Sequence, residues 1–332
     1  MMSAADSGET ISLEAKNVTG HYILPEGTVP VVENCSMQLR MGDTFGLLGE
    51  SGCGKTTFGK LLQGYVVPPL NLISGSVTID GLDIFSMSLR ERSRKVWGVK
   101  IARIPQYSMN SLNPVSKINS IVIDFMKSKM PSISEKEALS KAKARFEEVK
   151  LSADILDRYP FELSGGMKQR VVVIVSSLLD PKVIIADEPT TALDVTIQRS
   201  LIEFFFFLIK KRVISSLLVI SHDIATLNQI CNYFYVMYAG EIVEYGKRDA
   251  IINDPLHPYT KALINTIPTI DSKIKERNLK DIPGFPPDLR YPLKGCRFHE
   301  RCSYCNEQRC ELEEPKLLEV KKGRFVKCWL YK

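Results

Sequence analysis

The chain lacks any long hydrophobic run. Its longest apolar stretches, such as LIEFFFFLI at 201–209, fall well short of the ~20 residues that a bilayer-spanning helix needs. A secretory leader is not expected, because the opening MMSAADSGET is polar and acidic. There is no internal repeat and no low-complexity tract, so a repeat architecture is not expected. Neither sign of charge dominates: 44 Lys and Arg stand against 38 Asp and Glu, a net charge of +6. No basic cluster is interleaved with aromatics, so no nucleic-acid partner is expected. Histidine is scarce, at four residues. What remains is ordinary: 44% hydrophobic and 25% charged residues are the proportions of a globular protein. The length of 332 residues suggests about two domains. The expectation is a soluble protein, or one docked on a membrane rather than crossing it. Its mild positive charge would suit the anionic cytoplasmic leaflet.

Against that background three segments carry chemistry. The first is GESGCGKTT at 49–57, which fits G-x-x-x-x-G-K-[ST] through Gly49, Gly54, Lys55 and Thr56. Triphosphate oxygens need several donors converging at short range. Glycines let the backbone N–H groups of Glu50, Ser51, Gly52, Cys53, Gly54, Lys55 and Thr56 turn inward without Cβ clashes. A helix starting near Lys55 would aim its positive end at the phosphates. Lys55 would neutralise the β- and γ-phosphates, Thr56 would ligate Mg²⁺, and Thr57 would hydrogen-bond a phosphate. The preceding TFGLLG reads as a buried strand feeding that loop.

The second segment is VIIADEPTTALD at 183–194. Asp187 ends an apolar run, and a carboxylate at the tip of a buried strand suits Mg²⁺. Glu188 follows. Side chains alternate along a strand, so the two acids should point differently, with Glu188 as the base acting on the attacking water. The third is LSGGMKQR at 163–170, ahead of a basic helix.

In this order the three resemble an ATP-binding-cassette (ABC) ATPase, and the resemblance covers essentially the whole chain. It implies an α/β P-loop nucleoside-triphosphatase core with a helical signature subdomain. Further roles follow from it. Gln106, in IARIPQ, matches the glutamine that senses Mg²⁺ and the γ-phosphate, and His222, in LLVISHD, matches the histidine that orients the base. Tyr22 lies where such proteins stack an aromatic on adenine, with His21 an adjacent competitor. Ser164, Gly165 and Gly166 would meet the γ-phosphate of ATP held by a second subunit, with Asp194 at the same interface.

The division read from sequence is a cassette over 1–250, with its helical part at about 107–180, and an extension over 251–332. Within the helical part, SEKEALSKAKARFEEVKL has a serine cap and apolar residues at helical spacing. EFFFFLIKK reads as a buried helix face, and ELEEPKLLEVKK near the end is compatible with a helix.

LNPV at 112–115, HPYTKALINTIP at 257–268 and PGFPP…GCRFHERC at 283–302 look like the ATPases of oligopeptide and dipeptide importers. SGGMKQR with ADEPTTALDVT resembles the first of the two paralogous ATPases such systems carry. The second type commonly has Gln where Met167 stands. That resemblance implies a heterodimer with the paralogue, two membrane permease subunits, and an extracellular solute-binding protein acting indirectly. It places the chain peripherally at the cytoplasmic face of the cell membrane, with peptides, oligosaccharides or nickel as cargo. A soluble cassette ATPase acting on nucleic acid or ribosomes is the alternative. Such proteins usually show a coiled-coil insertion or a second cassette, and neither is present.

Five of the eight cysteines fall in the tail. Clustered thiols in a reducing compartment suggest metal rather than disulfides. The family pattern fits Cys296, Cys302, Cys310 and Cys328 and implies a four-iron, four-sulfur (4Fe–4S) cluster, with zinc as the alternative. Cys305 makes a C-x-x-C pair with Cys302 and is the spare.

Overall fold

The computed structural model describes residues 10–191, 193–266, 282–291 and 293–331. The polar opening segment, Ala192 of the TALD motif and the last two residues of HPYTKALINTIP lie outside the described residues. In chain order the strands and helices begin with β1 (Ile11–Leu24), β2 (Gly27–Arg40), β3 (Thr44–Leu48), α1 (Lys55–Leu62), β4 (Leu70–Ile79) and β5 (Leu82–Asp83). There follow α2 (Leu89–Lys95), β6 (Ile101–Ile104), α3 (Ile118–Lys129), α4 (Glu135–Glu148) and α5 (Gly165–Ser177). Next come β7 (Val183–Asp187), α6 (Val195–Lys210), β8 (Ser216–Ser221), α7 (Ile224–Ile230), β9 (Tyr233–Tyr238) and β10 (Glu241–Lys247). The chain closes with α8 (Arg248–Asn253), α9 (Pro258–Asn265), α10 (Glu307–Cys310), β11 (Leu318–Lys321) and β12 (Arg324–Val326).

Two compact units are present: one takes residues up to 14, 38–43 and 78–218, the other 15–37, 44–77 and 219–332. The first holds α2 to α6. In it β6 and β7 pair in parallel, Ile101 facing Val183 through Ile104 facing Ala186. The second holds α1 and α7 to α10, and its strands run in the order β11-β12-β10-β9-β3. There β3 and β9 are parallel, whereas β9, β10, β12 and β11 form antiparallel neighbours. A separate sheet has the order β2-β1-β4-β5.

The sequence explains these elements. β3 (TFGLL), β7 (VIIAD) and β8 (SLLVIS) are buried at every residue, as apolar runs in a parallel sheet covered on both faces must be. α4 is capped by Ser134, whose hydroxyl accepts from Glu137 N at 3.2 Å, and it buries Ala138, Ala142 and Phe146 on one stripe. α6 buries Leu201, Ile202, Phe204, Phe205 and Leu208, while Phe206 faces out at 45% exposure.

One expectation is corrected. ELEEPKLLEVKK is not helical. Pro315 is incompatible with a helix interior, and Leu318–Lys321 forms β11, paired with β12. Because β12 pairs with β10, the tail extends the cassette's own sheet, and Val326 is fully buried against Leu256 and Cys328. The extension therefore has a small apolar core of its own around Val326.

Candidate nucleotide site

The phosphate loop follows β3 and leads into α1. Gly52 and Gly54 have φ of 81° and 104°, the left-handed backbone that L side chains rarely adopt. At Gly49 a Cβ would come within 2.2 Å of the Met237 carbonyl oxygen, so the loop packs backbone against backbone. Lys55 is 6% exposed, and its ammonium donates to the carbonyls of Gly49 at 2.7 Å and Glu50 at 2.8 Å. Thr56 is exposed at the start of α1, where a metal ligand would stand; Thr57 is buried. Cys53 is buried too, which raises its thiol pKa, opposed by Lys55.

Tyr22 lies within hydrogen-bonding distance of the loop: its hydroxyl is 3.1 Å from the Thr57 hydroxyl. His21 is instead engaged by the Glu33 carboxylate. Of the two neighbours on β1, the tyrosine is therefore the one joined to the phosphate-loop helix. His222 is exposed and follows directly after the last residue of β8, at the strand end where the sequence puts it.

The same unit shows what HPYT does. Glu244, fully buried, accepts from the backbone N–H groups of Leu256 and His257, both at 2.8 Å. His257 caps α9 by accepting from Tyr259 N at 3.0 Å, and Pro258 stands at the first helical position. Burial pushes the His257 pKa down to about 3, so the ring is neutral and its Nδ1 lone pair is free to accept. Tyr259 then accepts, through its hydroxyl, the backbone N–H of Glu50 at 2.9 Å.

In the other unit Asp187 is the last residue of β7 and 1% exposed, and Arg103 Nη2 donates to its Oδ2 at 2.6 Å. Glu188 lies beyond the strand with φ of 48°. The two acids therefore differ because the backbone turns left-handed at Glu188, not because a strand alternates through both. Thr191 Oγ1 donates to Glu188 Oε2 at 3.0 Å. Gln106 sits after Pro105, two residues past β6, and is exposed. Ser164 caps α5, its hydroxyl accepting from Met167 N at 3.3 Å, and Asp194 caps α6 through Ile197 N at 2.9 Å. Gly165 and Gly166 form the first turn of α5 beside Ile197. Gln169 Nε2 donates to Pro189 O at 2.5 Å, tying α5 to the segment after Glu188.

Sequence reasoning missed two residues here. Arg103 is a cation inside an apolar strand; Tyr259 lies in a motif read as a branch marker and not as part of the site. No group of three or more His, Cys, Asp or Glu among the described residues converges on a single ion. No helix among the described residues is long and apolar enough to cross a membrane.

A glycine-cradled lysine, a strand-tip aspartate and an LSGG-capped helix on this α/β core define a P-loop ATPase of the cassette type. Comparison with known proteins agrees. A family model for the ABC transporter matches residues 32–191, and one for the oligopeptide/dipeptide transporter C-terminal region matches 243–310. The dipeptide transport ATP-binding protein DppD of Caldanaerobacter subterraneus is 36% identical over 97% of this chain and 98% of its own length. The oligopeptide transport protein OppD of Bacillus subtilis is 36% identical over 96% and 88%. Among solved structures, cbiO1 of Clostridium perfringens, part of an ABC transporter complex, has a TM-score of 0.62 at 22% identity, over 74% of this chain and 92% of that one. A dimeric cassette bound to ADP and phosphate has a TM-score of 0.60 at 22% identity, over 71% and 98%. The chain belongs to the ATP-binding subunits of oligopeptide/dipeptide ABC transporters, and it hydrolyses ATP to drive transport.

Proposed function

We propose that the chain energises uptake of peptides at the cytoplasmic face of a membrane, paired with a paralogous ATPase on two permease subunits that an extracellular binding protein supplies. The observation that carries this reading is the C-terminal region: it matches the peptide-transporter branch, and its Tyr259 supports the phosphate loop directly. ATP would lie between two subunits, with Lys55 of this chain on one nucleotide and Ser164, Gly165, Gly166 and Asp194 on the nucleotide of the partner. Thr56, Gln106 and Asp187 are the residues assigned to Mg²⁺, which when bound neutralises charge on the phosphate oxygens. Glu188, oriented by Thr191, accepts the proton of the attacking water, with His222 beside the γ-phosphate. Tyr22 would stack on adenine. The test is reconstitution with permeases and binding protein in vesicles. ATP hydrolysis should rise when peptide is supplied; a full rate from the chain alone, indifferent to permease and peptide, would overturn the reading.

The tail supports a second assignment. Cys296, Cys302, Cys310 and Cys328 all open onto one cavity of about 240 Å³, and Cys305 does not. The donor set is all thiol, the chemistry that holds a 4Fe–4S cluster or zinc, although no three of these side chains converge on a single ion as they stand. Burial, with a smaller contribution from the neighbouring thiols, pushes the Cys296 thiol up to about 12. Purified without oxygen, the chain should carry iron and acid-labile sulfide. Cys302→Ser should empty the site and Cys305→Ser should leave it intact. Zinc alone would refute the cluster, and no metal would refute the site.

A further inference from the structure

The phosphate loop carries a carboxylate, Glu50, in the segment that receives a polyanion. An acid there is unfavourable unless something neutralises it. The chain supplies that group from far along the sequence: Arg301 holds Glu50 by both nitrogens, Nη1 to Oε2 at 2.8 Å and Nη2 to Oε1 at 3.0 Å. This is the two-pronged geometry that only arginine offers a carboxylate. The guanidinium is itself fixed. Its Nε donates to Pro283 O at 2.7 Å, Nη1 also reaches the Tyr238 hydroxyl at 3.3 Å, and the rings of Tyr238 and Phe298 lie 5.7 and 6.0 Å from it. The Arg301 side chain is 4% exposed. Burial opposes its charge, and the hydrogen bonds to Glu50 and Tyr238 outweigh it, raising its pKa. The main chain of Glu50 is held by the same region, since its N–H donates to Tyr259.

We propose that Arg301 is a positioning residue for ATP binding: it neutralises and orients Glu50, so that the C-terminal extension sets the affinity of the phosphate loop. Glu50 is gripped at side chain and backbone by residues more than two hundred positions later, while its carbonyl receives Lys55. The grip fixes the carbonyl that parks Lys55 and removes a negative charge from the path of the phosphates. The proposal rests on ATP binding alone and is independent of what fills the cysteine cavity, although Arg301 and Cys302 share one short turn.

The test is a charge-swap cycle read by equilibrium binding of a fluorescent ATP analogue, with steady-state KM and kcat for the assembled transporter. Arg301→Met leaves Glu50 bare, and should weaken binding about tenfold or more and raise KM with kcat retained at saturating ATP. Glu50→Gln should weaken binding clearly less than Arg301→Met does, because the charge to be neutralised is gone. The double variant should recover most of the loss seen in Arg301→Met. A merely structural arginine predicts the opposite, a double variant at least as weak as the single one, and that outcome overturns the proposal. Should Arg301→Met fail to fold, Arg301→Lys keeps the charge and loses the fork. A higher KM for ATP at unchanged kcat would then support the proposal, and wild-type affinity would overturn it.

Discussion

The phosphate loop and the signature segment, both assigned to ATP in the proposed function, are built in opposite ways. The loop is enclosed: Gly49 abuts the Met237 backbone, Lys55 is buried, and Glu50 is held by Tyr259 and Arg301. The signature segment is open. Ser164 is exposed and its hydroxyl is used within its own helix, and Asp194 does the same for α6. Local capping satisfies part of each helix start and leaves other first-turn N–H groups without intrahelical partners. A loop that must bind with the chain's own groups is pre-organised by distant residues. A segment that serves a ligand held elsewhere needs only an outward-facing helix start. The difference predicts that binding and turnover can be separated by mutation.

The largest separation is expected at Glu188. Glu188→Gln keeps the shape and can still meet Thr191, but the amide accepts no proton. Turnover should fall by ~10²–10⁴ while ATP affinity holds. Phosphate release and nucleotide binding, measured on one preparation of the assembled complex, decide it. Turnover near wild type would remove Glu188 from its role.

The contrast between the two regions is sharpened by a pair of variants. Lys55→Ala deletes a charge that meets the phosphates and should weaken ATP binding by about 10- to 100-fold. Ser164→Arg places a bulky cation on the exposed cap of α5. It should leave binding at this chain's own loop intact and abolish productive pairing, so turnover falls without a change in affinity. Equal loss of affinity in both variants would contradict the division between the two segments.

How legible this was depends on whether the interaction is local. β3, β7 and β8 were readable because parallel strands buried on both faces are written as continuous apolar runs. The phosphate loop was readable because its glycines answer a steric demand within nine residues. The cap of α4 by Ser134 was equally local. The reading failed where a partner is distant in sequence. Nothing near Arg301 announces Glu50, and nothing near Tyr259 announces the loop's second residue. β11 was misjudged for the same reason: LLEVKK has no strong local preference, and pairing with β12 at the edge of the cassette sheet decides it. The premise that strand alternation separates Asp187 from Glu188 does not hold, since the orientation of Glu188 follows from a left-handed φ that no side-chain pattern signals.

Arg103 offers a smaller effect on the signature side. Its guanidinium occupies the Asp187 oxygen at 2.6 Å, and its Nε is buried with no hydrogen-bond partner. The arginine therefore competes with any divalent cation for that carboxylate. Arg103→Leu should lower the Mg²⁺ concentration for half-maximal turnover by roughly tenfold, the scale of one charge-assisted hydrogen bond. A titration of Mg²⁺ at fixed ATP measures it. An unchanged midpoint would mean that Arg103 stands aside in the working complex.

The smallest effect concerns the acid limit of the support under the loop. His257 is buried and neutral, with burial pushing its pKa down to about 3 in the fold from an ordinary 6.5. The unfolded chain therefore binds the proton first as pH falls. The stability that depends on neutral His257 is complete above the ordinary histidine range and is lost progressively between 6.5 and about 3. A protonated Nδ1 no longer accepts from Tyr259 N, so the cap of α9 goes, and with it the placement of the hydroxyl that meets Glu50. Between near pH 7.5 and near pH 5 this one group should remove about 2 kcal/mol of stability. His257→Asn keeps a side-chain acceptor at the cap and does not titrate in this range. Its unfolding midpoint should start lower, because the imidazole packing is gone, and should fall less on acidification than that of the wild type. Unfolding curves at the two pH values supply the slope for each protein. Parallel slopes would show that the acid sensitivity of the extension lies elsewhere and that the neutral histidine contributes packing alone; the buried Glu241 and Glu244 would not account for it, because burial raises their pKa and protonation then favours the fold.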